Sequence, residues 1–384
     1  MNDQLPSEFD LVIVGTGMIE SIISAAASRI GKTVLHIDSN DYYGGLWASF
    51  NLEGLHNYAP KSPETSQGGC PALNHLPIGN AVSHIGHFES NWHVPEKLEP
   101  PETDIEGDLE QMNLEESRGK EHSQESLLKI SRKFNIDLVP KLHYARGLSA
   151  VFGGVFALNQ PSLSGLKLEN HKVEALLNGD QEIKAQHFVL GAEHSPSQFL
   201  ASVANGNQIS RAVFVTDKSL IPSEQEHLTL LVYPPDDKKP LATIVEMGHL
   251  TGTCPKGFYL LHMTTKLVSS PKEDLQHIVS NLLGGNEEDG KPNILWSCYF
   301  SLPEAAQQQQ KQDLPENLFL CSGPNLDLDY DAAIHNAKGI FEKMYPGLDF
   351  LPRAPDPDEI IIGGEEEVTE TMTDEDTKEP TMNS

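Results

Sequence analysis

FDLVIVGTGMIESIISAAASRIGKTVLHID, Phe9 to Asp38, decides the architecture of the chain. Phe9 to Val14 is a short, continuous apolar run, as expected of a strand buried on both faces of a parallel sheet. Gly15-Thr16-Gly17 follows as a tight turn, and the small-residue stretch Ile19 to Ile30 reads as a helix ending at Gly31. Thr33 to Ile37 is the second strand, with Asp38 at its end. Strand, glycine turn, helix and strand together form the opening unit of a dinucleotide-binding fold. In such folds the first two glycines let a pyrophosphate approach the helix N-terminus, and the acid after the second strand accepts the ribose hydroxyls. Gly15, Gly17 and Asp38 are present, but Glu20 stands where the third glycine belongs. A larger, charged side chain there disturbs close helix packing. Pointed into the phosphate site, it repels pyrophosphate. The turn therefore reads either as a working site or, preferably, as a degenerate dinucleotide loop without a cofactor.

Order outside this unit is uneven. Two segments hold most of the charge imbalance in a chain of 384 residues with net charge −29. Glu96 to Glu125 has 11 acidic and 3 basic residues, and Pro355 to Ser384 has 11 acidic and 1 basic. An acidic balance argues against nucleic acid as a partner and against a polybasic hold on anionic lipid. Residues 58–126, rich in Pro, Gly, Ser and acids, read as a mainly disordered acidic insertion, and 352–384 as an acidic tail.

Between these segments, Arg132 to Leu142, Val151 to Asn159, Lys172 to Leu177 and Gln186 to Leu190 show strand or turn patterns. So do Arg211 to Asp217, Leu228 to Tyr233, Phe258 to Thr264 and Ile294 to Phe300. Glu273 to Leu283 and Asp331 to Tyr345 read as helices, and Asn317 to Pro324 as a strand running into a glycine turn. Flavoproteins of this architecture often carry Gly-Asp or Gly-Glu after that last strand. Here Pro324 follows the glycine, which counts against a flavin.

Cys70, Cys254, Cys298 and Cys321 form no C-x-x-C pair, so a reducing compartment is the default. The N-terminus is acidic with a short apolar run, unlike a signal peptide, and the C-terminus has no prenylation box. A soluble, cytosolic protein is the expectation. The 16 histidines include His84, His87 and His93 in the acidic insertion, without Cys or carboxylate at metal spacing. No metal site and no nucleophile elbow, P-loop or paired catalytic carboxylate is read from the sequence.

Gly15 to Phe50, with GTG-x-x-E, VLH-x-D and DYYGG, resembles the first conserved region shared by Rab escort proteins and Rab GDP dissociation inhibitors. RKFNIDLVPKL and AVFGGVFAL resemble two further regions. ISRAVFVTDKSL, ILWSCYFSLP, LFLCSGPN and the PDPDEIIIGG tail, with the long acidic insertion, are closer to the escort proteins. The resemblance covers nearly all of the chain outside the acidic loop and tail. It implies an α/β fold: an FAD-binding-like (GDI-like) domain with parallel and mixed sheets whose cofactor site is degenerate. A helical second domain is normally added.

In this chain the KLHYARG segment runs almost directly into LSAVFGG, so that helical domain is largely missing. The expected division is 1–57 for the dinucleotide-fold part, 58–126 for the insertion and 127–351 for the remaining GDI-like domain. The deletion falls near 145–150, and 352–384 is the tail.

The implied activity is that of a non-catalytic accessory subunit, component A of Rab geranylgeranyltransferase. Such a protein binds GDP-bound, unprenylated Rab GTPases and presents them to the transferase alpha/beta heterodimer. It then delivers the lipidated Rab, touching membranes only transiently through it. No cofactor is implied. Two adjacent tyrosines on an exposed turn suit an interface, or one of them packs on the core. By resemblance the Rab-binding residues are Tyr42, Tyr43, Gly44, Gly45, Arg132, Asn135 and Asp137, with Tyr43 the stronger contact. A GDP dissociation inhibitor is the nearest alternative. An FAD-dependent oxidoreductase is the remote one, opposed by Glu20 and Pro324.

Overall fold

The computed structural model describes residues 5–58, 75–78, 85–98, 122–140, 154–196, 208–223, 228–236, 239–284, 290–304 and 314–352. In chain order the strands are β1 (Glu8–Val14), β2 (Val34–Ile37), β3 (Ser49–Phe50), β4 (His75–Pro77), β5 (Gly86–Trp92) and β6 (Ile136–Asp137). They continue as β7 (Val155–Ala157), β8 (Leu163–Glu169), β9 (Lys172–Asn178), β10 (Gln181–Leu190) and β11 (Gln208–Thr216). The last are β12 (Leu228–Tyr233), β13 (Ala242–Met247), β14 (Tyr259–Lys266), β15 (Ile294–Pro303) and β16 (Leu318–Leu320). The helices are α1 (Met18–Arg29), α2 (Leu52–His56), α3 (Gln124–Lys129), α4 (Pro271–Leu282) and α5 (Asp331–Met344).

One sheet is mixed, in the order β4-β8-β9-β10-β1-β2-β7, with β16 also on β10. Its centre is parallel: β10 pairs β1, β1 pairs β2, β2 pairs β7 and β10 pairs β16. The ten-residue β10 serves two partners, β9 antiparallel through Gln181 to Lys184 and β16 parallel through Phe188 to Leu190. Leu11, Ile13 and Val189 pack under α1 and α5, where Ala26, Ala27, Ala333 and Ala337 let the two helices approach closely. The opposite face buries Val12, Val14, Leu35, Ile37 and Phe188. Burial on both faces explains why β1 reads as an unbroken apolar run.

The second sheet is antiparallel, β12-β13-β14-β11-β15-β5. α4 covers one face through Leu275 and Ile278. The other face packs against β3, β6 and α2 through Leu52, Leu55, Ile136 and Leu138. α2, just after the Gly15 to Phe50 stretch, is thereby folded onto this sheet rather than onto the mixed one.

The expectation of a disordered insertion over 58–126 is corrected in part. Gly86–Trp92 forms β5, the edge strand beside β15. Its inward side chains Phe88 and Trp92 join the core, and Lys272 pairs with Glu89 at 2.6 Å. His87 and His93, expected in a disordered stretch, instead bond to Ser301 and Ser297 of β15 at 3.0 and 2.8 Å. The strand eluded sequence reading because an edge strand needs only one apolar face, and GHFESNW alternates Phe, Ser and Trp with polar residues. His84, Cys70, Gly153 and the KLHYARG segment lie outside the described residues, as does the tail from 353. Among the described residues no helix is long and apolar enough to cross a membrane.

Candidate functional site

The glycine turn after β1 is built as expected, but its cradle is filled by the protein itself. Gly15 adopts a φ of +106°, where a side chain is strained. Gly17 is the N-cap of α1 and has no side chain to cap it. Glu20, one turn into α1, is buried, and its carboxylate folds back over this turn. A Cβ added at Gly17 would stand 2.6 Å from Glu20 Oε2, and one added at Gly191, just after β10, would stand 2.3 Å from Oε1. A dinucleotide needs this space for its phosphates, so these residues do not fit one. The glycines leave room for a carboxylate.

Glu20 belongs to a buried polar cluster with Asp38 at the end of β2 and Glu193 and His194 just beyond β10. The neighbouring parallel strands β1, β2 and β10 end together and deliver all four groups to one point. His194 Nε2 lies 3.5 Å from Asp38 Oδ1 and 3.8 Å from Glu193 Oε1. Asp38 accepts hydrogen bonds from the Thr16 hydroxyl at 2.7 Å and the Asn40 N–H at 2.9 Å. Burial and the nearby Glu193 push the Glu20 carboxyl up to about 8, so it carries a proton at neutral pH. Burial also raises Glu193. For His194 burial works downward, but Asp38, Glu193 and Glu20 outweigh it and hold the imidazole above its ordinary range. Asp38 goes the other way: burial would raise it, while His194, Asn40 and Thr16 stabilise its charge and leave it lowered.

This cluster positions the turn that follows β2. Glu193 Oε2 accepts the Leu46 N–H at 3.1 Å, and the Gly44 N–H donates to Thr16 Oγ1 at 3.1 Å. Gly44 and Gly45 take φ values of +105° and +50°. The two tyrosines of the turn then part company. Tyr42 turns inward against Phe50, with ring centroids 5.3 Å apart, in the core that also holds Tyr58. Tyr43 is 57% exposed and rests edge-on against Phe156 of β7 at 6.2 Å. Phe156, which sequence reasoning did not single out, is therefore the support of the exposed ring.

The second group of sequence candidates is joined to the turn by backbone. β6 pairs with β3, and the Leu138 N–H donates to Ala48 O at 3.0 Å. Arg132 is exposed and available at the surface. Asn135 is half-buried, and its N–H is taken by Thr253 O at 2.8 Å. Asp137 is used internally: it accepts the Ser49 hydroxyl, and burial raises its carboxyl.

The sequence shows Arg211 only as part of the β11 strand pattern, yet its side chain bonds to the end of the Arg132–Leu138 segment. Its guanidinium is fully buried, donating Nε to Leu138 O and Nη1 to Met263 O, both at 2.8 Å. Nη1 also reaches the Thr264 hydroxyl, and Nη2 lies 3.1 Å from His262 Nδ1. Burial lowers Arg211 to about 9 despite the nearby Asp137, and it lowers His262 well below the ordinary imidazole range. His262 is thus neutral and able to accept. Glu193 and His194 were missed as well. The one local signal for them is Gly191, which ends a strand as Gly15 does.

Two family models match. Residues 1–70 match the model described as GDP dissociation inhibitor, and residues 209–326 match RAE1/2 domain I, C-terminal region. Among curated proteins, Rab proteins geranylgeranyltransferase component A of Drosophila melanogaster is 26% identical over 491 aligned positions, covering 95% of this chain and 94% of that protein. Component A 1 of Homo sapiens is 23% identical over 621 positions, covering 95% of each. Both alignments are longer than the 384 residues of this chain, so many of their positions have no counterpart here. Among solved structures, Rab GDI from Plasmodium falciparum aligns with a TM-score of 0.50 at 15% identity, covering 89% of this chain and 99% of that one, which supports the same fold.

Proposed function

We propose, for a chain that belongs to the superfamily of Rab escort proteins and Rab GDP dissociation inhibitors, a role as a Rab escort protein, the non-catalytic component A of Rab geranylgeranyltransferase. It binds GDP-bound, unprenylated Rab GTPases in the cytosol through the turn Tyr42–Gly45 and the Arg132–Asp137 segment. The observation that carries this reading is the outward Tyr43, set on Phe156 above a turn braced by Glu193. A rigid exposed ring on a fixed backbone loses little entropy on docking. The match to RAE1/2 domain I favours the escort branch.

The unmatched positions of the longer relatives fit loss of the central helical domain, which in the family supplies the main transferase contact. Rab capture is the part of the role that the remaining domain carries. Presentation to the alpha/beta heterodimer, and delivery of the geranylgeranylated product to membranes, is the part open to direct test. Glu20 in the phosphate cradle supports an accessory rather than an oxidoreductase role.

Titration calorimetry with a GDP-loaded, unprenylated Rab tests the proposal. Micromolar or tighter binding, weakened by Tyr43→Ala, is the expected result. Absence of binding, or binding indifferent to Tyr43, overturns it. The second reading, a GDP dissociation inhibitor, draws on the match over residues 1–70. It predicts extraction of prenylated Rab from membranes and no stimulation of geranylgeranylation when transferase is added.

A further inference from the structure

The buried cluster beneath the Tyr42–Leu46 turn gathers three carboxyl groups and one imidazole. Glu20, Asp38 and Glu193 are each more than nine-tenths buried, with His194 between them. The charged groups acting on Glu20 are Glu193, His194 and Asp38. Burying ionised carboxylates without compensation is expensive, and a protein meets the cost with a proton or a cation. Glu20 Oε2 and Glu193 Oε1 have no hydrogen-bond partner, and His194 Nε2 has none nearer than Asp38 Oδ1 at 3.5 Å. One donor atom each from Asp38, Glu193 and His194 lies within 4.8 Å of the other two. The separations from His194 Nε2, 3.5 Å to Asp38 and 3.8 Å to Glu193, are close to the ~3.3 Å edge of a tetrahedron with bonds of about 2.0–2.1 Å.

We propose that Asp38, Glu193 and His194 bind one divalent cation of the zinc class, beside the Glu20 carboxyl. The chemistry of the donors selects the ion. One imidazole nitrogen and two carboxylates suit zinc. Calcium wants six to eight oxygens, and magnesium wants an octahedral shell of oxygens and waters in which an imidazole nitrogen is a poor donor. The ion joins the ends of β2 and β10. Through the Glu193 bond to Leu46 and the Asp38 bond to Asn40, it also braces the turn that presents Tyr43.

The test uses the full chain, stripped with chelator, loaded with zinc chloride and dialysed. Elemental mass spectrometry should find about one equivalent of zinc retained, and Tm should rise on loading. Retention below about a tenth of an equivalent overturns the proposal. Zinc-edge X-ray absorption on the same unmutated sample should show one imidazole with oxygen donors. A shell containing sulfur places the metal on cysteine instead and sinks the assignment. Glu193→Gln, which can still accept from Leu46, and His194→Gln should each lose the zinc. Retention at the wild-type level in both overturns it as well.

Discussion

Glu193 and Gly45 are 148 positions apart in the sequence, yet a Cβ on Gly45 would stand 2.0 Å from Glu193 Oε1. The other oxygen of that carboxylate accepts the N–H of the next residue, Leu46. Gly45 is therefore glycine for two reasons: its φ of +50° and the carboxylate against its face. Gly45→Ala should cost roughly 2–4 kcal/mol of stability, from the left-handed φ together with overpacking against a buried, hydrogen-bonded carboxylate. Glu193→Ala removes the clash but orphans the Leu46 N–H. The double variant should therefore cost less than the sum of the singles, with a coupling of about 1–2 kcal/mol. Urea unfolding of the four proteins measures it. Simple additivity means that the two residues do not share this contact.

The protonated Glu20 makes the fold sensitive to alkali. Its folded value is about 8, against an ordinary 4.5. The folded state thus keeps a proton that the unfolded chain has released. This contribution is complete below the unfolded value and is lost as pH rises from about 4.5 through 8. His194, also raised, adds a loss in the same direction as pH climbs through its own folded value. Glu20→Gln keeps a neutral group of the same shape. Its Tm should fall less steeply than that of the unmutated protein between about pH 6 and pH 9. Parallel Tm profiles in that range would show that Glu20 is already ionised in the folded chain.

The paired tyrosines separate stability from binding. Tyr42→Ala removes a half-buried ring packed on Phe50 and should cost roughly 2–4 kcal/mol in denaturant melts. Tyr43→Ala removes an exposed ring and should change stability by less than about 1 kcal/mol. The same change should weaken Rab binding roughly 10–100-fold by calorimetry. The opposite pattern, with a destabilised Tyr43 variant that binds normally, would place the interface elsewhere.

What could be read from the sequence followed the range of the interactions. Strand, turn, helix and strand over residues 8–37 agree with expectation to within a residue or so at each end, because glycine turns and buried apolar runs are local signals. Glu20 was legible as a substitution in a known turn. Its partners were not, since Glu193 and His194 come to it only when β10 pairs with β1. β13 escaped notice because ATIVEM carries Glu246, a residue disfavoured in strands. Its carboxylate is absorbed by the Ser219 hydroxyl and the Leu220 N–H. The choice between the two tyrosines was likewise undecidable from adjacent residues. It depends on Phe50 and Phe156, which lie on different sheets.

Arg211 joins the second candidate segment to the antiparallel sheet. Arg211→Met keeps the length and apolar stem but deletes the donors to Leu138 O, Met263 O and the acceptor nitrogen of His262. Those buried acceptors then lack partners, and the expected cost is about 3–5 kcal/mol. Arg211→Lys retains the charge but has a single nitrogen, which cannot span three diverging acceptors, so it should rescue only a small part of the loss. Because Leu138 follows Arg132, Asn135 and Asp137 in the chain, loosening it should also weaken Rab binding, even with Tyr43 intact. Urea unfolding and calorimetry on the same variants read both effects. A stability loss for Arg211→Met with unchanged Rab affinity would remove the Arg132–Asp137 segment from the interface and leave the Tyr43 turn to carry it alone.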